Sequence, residues 1–218
     1  MTGASEDDVT IRRAATVIAV RDAAGRPEVL VVERSASSRF LPGYVAFPGG
    51  AVDPDDDRLA ERWFGDASEA VRAAAVRELV EEVGLALTGR GVEPAGGLAP
   101  VHGSPPNPGQ LIEIARWVAP EDVPVRFDAR YFAVRAGGDV EPVADGTETA
   151  SAWWVSPAHL LSEWEAGERR LYWPTWLTMT QLVVAASVDE LLDLRVETRE
   201  PDDDEVEAMP ASVFWQDR

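Results

Sequence analysis

Cysteine is absent from the chain, so neither a disulfide framework nor a thiolate metal centre can form, and nothing argues for export to an oxidising compartment. Histidine is almost as scarce. The two present, His102 and His159, lie far apart in sequence, and each reads as a surface or packing residue rather than a ligand. No segment approaches the roughly 20 apolar residues needed to span a bilayer. Positions 1–9 are polar and acidic, without the basic and apolar regions of a signal peptide, and read as a flexible N-terminus. These absences predict a cytoplasmic protein. No internal repeat is visible. Basic residues are outnumbered 20 to 39 by acidic ones, for a formal charge of -19. Such a surface repels nucleic-acid backbones and acidic membranes, which disfavours both as partners. An anionic small molecule can still bind where a metal ion and arginine invert the local field.

What is present suffices for one sizeable core with decorations, and 218 residues are too few to assume two independent domains. Positions 14–20 and 28–33 read as strands across a turn at 21–27. In 51–68, the run Asp53-Pro54-Asp55-Asp56-Asp57 is suited to cap a short helix through Ala60, Trp63 and Phe64. Positions 88–95 are turn-rich, 96–102 read as a strand, and the proline-rich 104–109 form a lid or a plain surface connection. Positions 111–118 and 127–135 read as strands, split by Pro120 and Pro124. Arg126 and Arg130 either join the substrate side or pair with surface charges. A loop at 145–149 precedes Trp153-Trp154-Val155, and Ser156-Pro157 starts a helix toward Trp164. A longer apolar helical pattern fills 174–192, with a break near Ser187 and Val188. Its aromatic residues serve either the core or a homodimer surface. Positions 197–218 read as a solvated acidic tail whose Val213-Phe214-Trp215 can dock back.

The chain is organised around 77–85. In a helix, Glu78, Glu81 and Glu82 share one face, while Val76, Leu79, Val80 and Val83 form a core-facing stripe. Ala74 and Ala75 sit toward the acidic side and leave room for an approaching group. Gly84 follows the last periodic residue, where a helix stops in the left-handed conformation. Carboxylates this close repel one another and call for a cation or a proton. Oxygen ligands in this number favour Mg2+ first and Mn2+ second over zinc, and Arg77 is placed to steady one glutamate. The alternative is a solvated acidic helix face. Spacing alone leaves the two readings even.

Residues upstream break the tie. Seven residues separate Arg77 from Glu69, and Phe47-Pro48-Gly49-Gly50 lies further back. The pattern resembles the signature of the Nudix hydrolases: Gly, five residues, Glu, seven residues, Arg-Glu-apolar-any-Glu-Glu-any-Gly-apolar. Glu69 through Leu85 match it as written. Strict spacing asks for glycine where Trp63 stands, so about 13 residues are inserted between Gly50 and Glu69. The resemblance implies the Nudix fold, an α/β (α+β) architecture with a mixed β-sheet sandwiched between α-helices, over 10–196, with the insertion at about 51–68 and extra C-terminal helices. It implies hydrolysis of a diphosphate linkage with Mg2+ (or Mn2+) held by Glu78, Glu81 and Glu82. Glu148, in a loop outside the signature, becomes the candidate for a further ligand or the general base, the alternatives being a helix glutamate as base and Glu148 as a carboxylate that merely ends a turn. Glu69 falls on the other side of an ideal helix from the three glutamates and is assigned to orienting Arg77 or the helix start.

A second pattern lies just before. Arg34-Ser35, three residues, Arg39, three residues, Gly43, three residues and Phe47-Pro48-Gly49-Gly50 resemble the accessory motif that accompanies coenzyme A diphosphatases in the Nudix superfamily. The planar guanidinium fork suits phosphate oxygens, so Arg34 and Arg39, beside Gly49 and Gly50, are expected to clamp the anion. Otherwise Arg34 caps a strand edge and Arg39 pairs with a nearby aspartate. The insertion resembles that of the peroxisomal coenzyme A diphosphatases of animals, although the sequence ends Trp215-Gln216-Asp217-Arg218 rather than in their Ser-Lys-Leu-type address. Three functions are consistent with these motifs. They are a coenzyme A or acyl-coenzyme A diphosphatase, the same chemistry on ADP-ribose or a dinucleotide, and a non-catalytic sensor of a nucleotide-linked metabolite. The sensor's usual mark, a lost helix glutamate, is missing.

Overall fold

The structure, a computed structural model, describes residues 11–119 and 126–214. The expected flexible N-terminus at 1–9, Pro120, Pro124 and Trp215 fall outside them. Strand β1 (Arg12–Ala23) turns at Ala24-Gly25 into β2 (Arg26–Arg34), and Ala23 pairs with Arg26 across the turn. Both strands are longer than expected, so the turn shrinks to two residues. Short strands β3 (Val45–Ala46) and β4 (Gly49–Ala51) follow, then helices α1 (Asp56–Phe64) and α2 (Ala70–Val83).

Next come β5 (Leu85–Thr88), β6 (Gly91–Pro94) and α3 (Ala99–Gly103). Two expectations are corrected here. The turn-rich 88–95 contributes to an antiparallel hairpin, because Leu85 and Leu87 are buried and the turn occupies only Gly89-Arg90. The anticipated strand over 96–102 contains a helix instead, with Pro100 in its first turn, where the missing N–H costs nothing. Strands β7 (Ile112–Val118), β8 (Phe127–Arg135) and β9 (Thr149–Val155) lead to helices α4 (Pro157–Glu165), α5 (Trp173–Leu182), α6 (Val188–Asp193) and α7 (Asp203–Ala208).

The main sheet has the order β3-β2-β1-β8-β7, with β4 also pairing β1 and β9 pairing β2. It is mixed: β1 and β8 run parallel and the other pairs antiparallel. Alternation along the strands explains the layering. Ala15, Val17, Leu30, Val32, Phe132 and Val134 point to the face covered by α1, α2 and α3. Ile18, Val20, Val29, Val31, Tyr131 and Ala133 point to the face covered by α4, α5 and α6. A strand buried on both faces reads as an unbroken apolar run, as 14–20 does.

Two decorations are less peripheral than expected. In the insertion, Ala60 and Trp63 of α1 are buried in the core, and Trp63 Nε1 donates to His102 Nδ1 at 2.9 Å. In the stretch anticipated as a solvated tail, α7 carries an Asp202/Glu205 capping box, and the expected docking is seen at Val213, fully buried against Trp173 and Leu177. No helix among the described residues is long and apolar enough to cross a membrane.

Candidate active site

Helix α2 carries the site and is enclosed almost all round, a consequence of its Ala-rich first turns lying against the sheet. Ala74 and Ala75, expected beside open space, are fully buried. The helix ends at Gly84, whose φ of 63° is left-handed and whose N–H caps the carbonyls of Leu79 and Val80.

At its centre Arg77 uses all five N–H donors. Nε and Nη2 grip Asp56 Oδ1 and Oδ2 at 3.0 Å each, Nη2 also reaches Ala51 O at 3.0 Å, and Nη1 reaches Glu78 Oε1 at 2.7 Å and Glu81 Oε2 at 2.8 Å. Burial alone would lower the Arg77 pKa, but Asp56, Glu78 and Glu81 together raise it. Its role is wider than steadying one glutamate.

Asp56 was missed as a site residue. It is fully buried, and Oδ2 also accepts the Asp53 N–H at 2.8 Å. A signal was available: Asp56 is the sixth residue after Gly50, where an uninterrupted signature places its glutamate. The expectation that Glu69 orients Arg77 is corrected accordingly. Glu69 stands at the N-cap position of α2, makes no side-chain cap hydrogen bond there and pairs with Arg72, so only its second assignment, to the helix start, describes its position.

Glu78 and Glu82 are buried on the side facing β4, at 9% and 5% exposure. The Gly49 N–H donates to Glu82 Oε2 at 3.0 Å. Neither glycine leaves room for a side chain. A Cβ at position 50 would run into the Glu78 carboxylate, and one at position 49 would lie 2.8 Å from Thr16 Cα. Burial pushes Glu82 up to about 8, the charges of Glu78 and Glu148 add to the rise, and the Gly49 N–H and Arg34 oppose it. Burial likewise raises Glu78, against Arg77 and with help from Glu81 and Glu148. Glu81 differs: its side chain is 53% exposed and committed to Arg77. Beside it opens a cavity of about 470 Å³ lined by Val80, Pro94, Ala95, Val143 and Asp145.

Glu148 reaches the site on a loop tied to α2. Asp145 N donates to Glu82 O at 3.1 Å, and the Asp145 carboxylate in turn accepts from Glu148 N and Thr149 N at 3.1 and 2.8 Å. Burial would raise the Asp145 pKa, but those backbone donors hold it low. Ser35 N donates to Glu148 O at 2.8 Å, which joins the Arg34 segment to the same loop. Arg34 Nε donates to Phe40 O at 2.9 Å.

The fold thus assembles Arg34, Gly49, Gly50, Arg77, Glu78, Glu82 and Glu148, with Glu81 at the rim. Arg39 is exposed and makes no ion pair or hydrogen bond among the described residues. Arg130 is paired with Glu113, and Arg126 donates to Ala119 O at 3.3 Å. Neither joins the carboxylates.

The donor set suits a hard divalent cation. Glu78 and Glu82 are oxygen donors whose pKa values are raised first by burial and then by neighbouring carboxylates, a penalty that a cation relieves. Among the described residues no three acidic or histidine side chains already converge as a ligand cluster. The carboxylates of Glu78 and Glu81 instead share Arg77.

Residues 10–177 match the NUDIX domain. The chain is similar to the crystal structure of a NUDIX hydrolase from Alicyclobacillus acidocaldarius, at 34% identity and a TM-score of 0.76 over 88% of this chain and 100% of that one. It is 28% identical over 172 residues to a Caenorhabditis elegans protein provisionally named nudix hydrolase 7, covering 71% of this chain and 55% of that protein. It is 38% identical over 98 residues to an uncharacterized Nudix hydrolase NudL of Enterobacter sp. (strain 638), covering 43% and 50%. The chain spans about half the length of these curated relatives.

Proposed function

The chain belongs to the Nudix family, and on that premise we propose that it is a divalent-cation-dependent diphosphatase acting on coenzyme A or acyl-coenzyme A. The observation that carries this reading is the junction of two motifs. The Arg34-Ser35 segment bonds through Ser35 N to the carbonyl of Glu148, whose charge is felt by both Glu78 and Glu82. A cationic clamp and an acidic cluster then face one diphosphate.

Nudix hydrolases generally use divalent cations. Here Glu78, Glu82 and the rim residue Glu81 would hold Mg2+ or Mn2+, and Arg77 keeps Glu78 and Glu81 in place. A bound ion supplies charge neutralisation at the diphosphate oxygens and acidity to a neighbouring water. Arg34, with the exposed Arg39, grips the phosphate. Glu148 accepts the proton of the attacking water as the new P–O bond forms. The bridging P–O bond breaks, and its electron pair leaves with the departing phosphate.

The test is product analysis after incubation with Mg2+ and, separately, coenzyme A, ADP-ribose, NADH and diadenosine polyphosphates. Coenzyme A is expected to yield phosphopantetheine and an adenosine bisphosphate. Arg34→Ala is expected to raise KM with the fold intact. Complete hydrolysis of ADP-ribose with coenzyme A untouched would overturn the substrate assignment, and no turnover of any compound would favour a sensor.

A further inference from the structure

We propose that the C-terminal stretch from Arg199 to Phe214 is a positioning element for substrate binding, acting through Tyr44 on the loop that follows Arg34. This rests on the reading that Arg34 binds the substrate phosphate.

The loop from Arg34 to Tyr44 closes on itself at its base. Arg34 N donates to Tyr44 O at 2.9 Å, and Gly43 N donates to Arg34 O at 3.1 Å. Tyr44 is therefore the residue paired with Arg34 across the loop's neck, and whatever fixes Tyr44 fixes the backbone that aims Arg34. On one side the neck is held by β3, where Val45 N donates to Arg170 O at 2.9 Å. On the other side it is held by the C-terminal stretch, where the Tyr44 hydroxyl donates to Ser212 O at 2.7 Å.

That stretch is anchored firmly enough to act as a support. Trp173 Nε1 donates to Arg199 O at 2.8 Å, and the Arg199 guanidinium lies over the Trp173 ring while bonding both carboxylate oxygens of Glu205 at 2.6 Å. Val213, the residue after Ser212, is fully buried against Trp173 and Leu177, and the Phe214 ring lies 5.8 Å from that of Trp173. Ser212 is thus set by its buried neighbour Val213, which packs on α5, and the ring of Tyr172, at the N-cap of that helix, meets Phe40 of the loop at 6.2 Å. A negatively charged segment near an anion site would otherwise oppose binding. Its attachment by an aromatic cluster and one tyrosine makes it a brace.

The test compares the full chain, Tyr44→Phe and a chain ending at Pro210, by amide hydrogen exchange and by kinetics on coenzyme A with Mg2+. Both variants are expected to speed exchange within 36–44, the shortened chain by at least ~5-fold, while α2 keeps its protection. KM is expected to rise at least ~5-fold in the shortened chain with kcat within about two-fold of the full chain. Unchanged exchange in 36–44 overturns the proposal, as does faster exchange spread equally over α2, which would mark general destabilisation. Faster loop exchange with an unaltered KM overturns the positioning role. Should the full chain cleave no coenzyme A, the substrate reading fails, and loop exchange alone decides whether the brace exists. If the shortened chain does not fold, Tyr44→Phe carries the same comparison with smaller shifts.

Discussion

Asp56 and Glu69 lie near the two ends of the inserted segment, and each holds an arginine of α2. Asp56 is fully buried and grips Arg77 with both oxygens. Glu69 is partly exposed and pairs with Arg72 near the helix start. The pairs look alike in sequence, but only the first reaches the glutamates, because Arg77 passes the contact on to Glu78 and Glu81. Charge pairs that share a helix are not equivalent; what counts is whether breaking one leaves a buried charge without a partner.

That contrast can be broken in graded steps. Asp56→Ala removes the two bonds that Arg77 makes to a fully buried carboxylate and is expected to cost about 3–5 kcal/mol of stability, together with most of the proposed diphosphatase turnover, measured by urea unfolding and product assay. A loss below about 1 kcal/mol would put Asp56 in the same class as Glu69. Gly50→Ala sets a methyl group against the Glu78 carboxylate that Arg77 holds in place, and is expected to cost about 1–3 kcal/mol. It should also weaken Mg2+ activation, which a metal-concentration series on the same assay reads. Glu69→Ala is expected to cost less than about 1 kcal/mol and to leave KM and kcat within about two-fold.

The smallest effect concerns how the insertion is anchored. His102 accepts the Trp63 N–H on Nδ1, so protonation there removes the bond, and burial together with Arg62 lowers the His102 pKa. Since the folded value lies below the unfolded one, the contribution is present above about 6.5 and is lost as pH falls through the folded value. Urea unfolding at pH 7.5 and 5.5 should show a smaller loss in His102→Gln than in the unaltered chain. Equal losses would remove His102 as the source.

Much of this was legible in the sequence. The 77–85 stretch has helical spacing and a glycine stop, and both features appear in α2. The strands expected at 111–118 and 127–135, on either side of Pro120 and Pro124, match β7 and β8 closely. The failures share a physical cause. Ala74 and Ala75 have no side-chain signal to say whether a neighbouring sheet presses on them. Leu85 to Pro94 is too short and glycine-rich for periodicity to reveal a hairpin whose stability comes from burial of Leu85 and Leu87. Asp56 sat in a run of four near-identical carboxylates at 53–57, where only tertiary contact distinguishes the buried one. In the C-terminal stretch the docking of Val213 and Phe214 was expected from their apolar side chains, whereas α7 was masked by the charge of the acidic run that forms it.

Titration calorimetry of Mn2+ into the unaltered chain and Glu82→Gln at neutral pH tests the central claim most directly. The unaltered chain should bind with release of a proton, since burial pushes Glu82 up to about 8. Glu82→Gln should bind at least ~10-fold more weakly, without that proton and with its melting temperature nearly unchanged. Equal affinity in the two proteins, with no proton released by either, would contradict a cation held by the carboxylates of this helix.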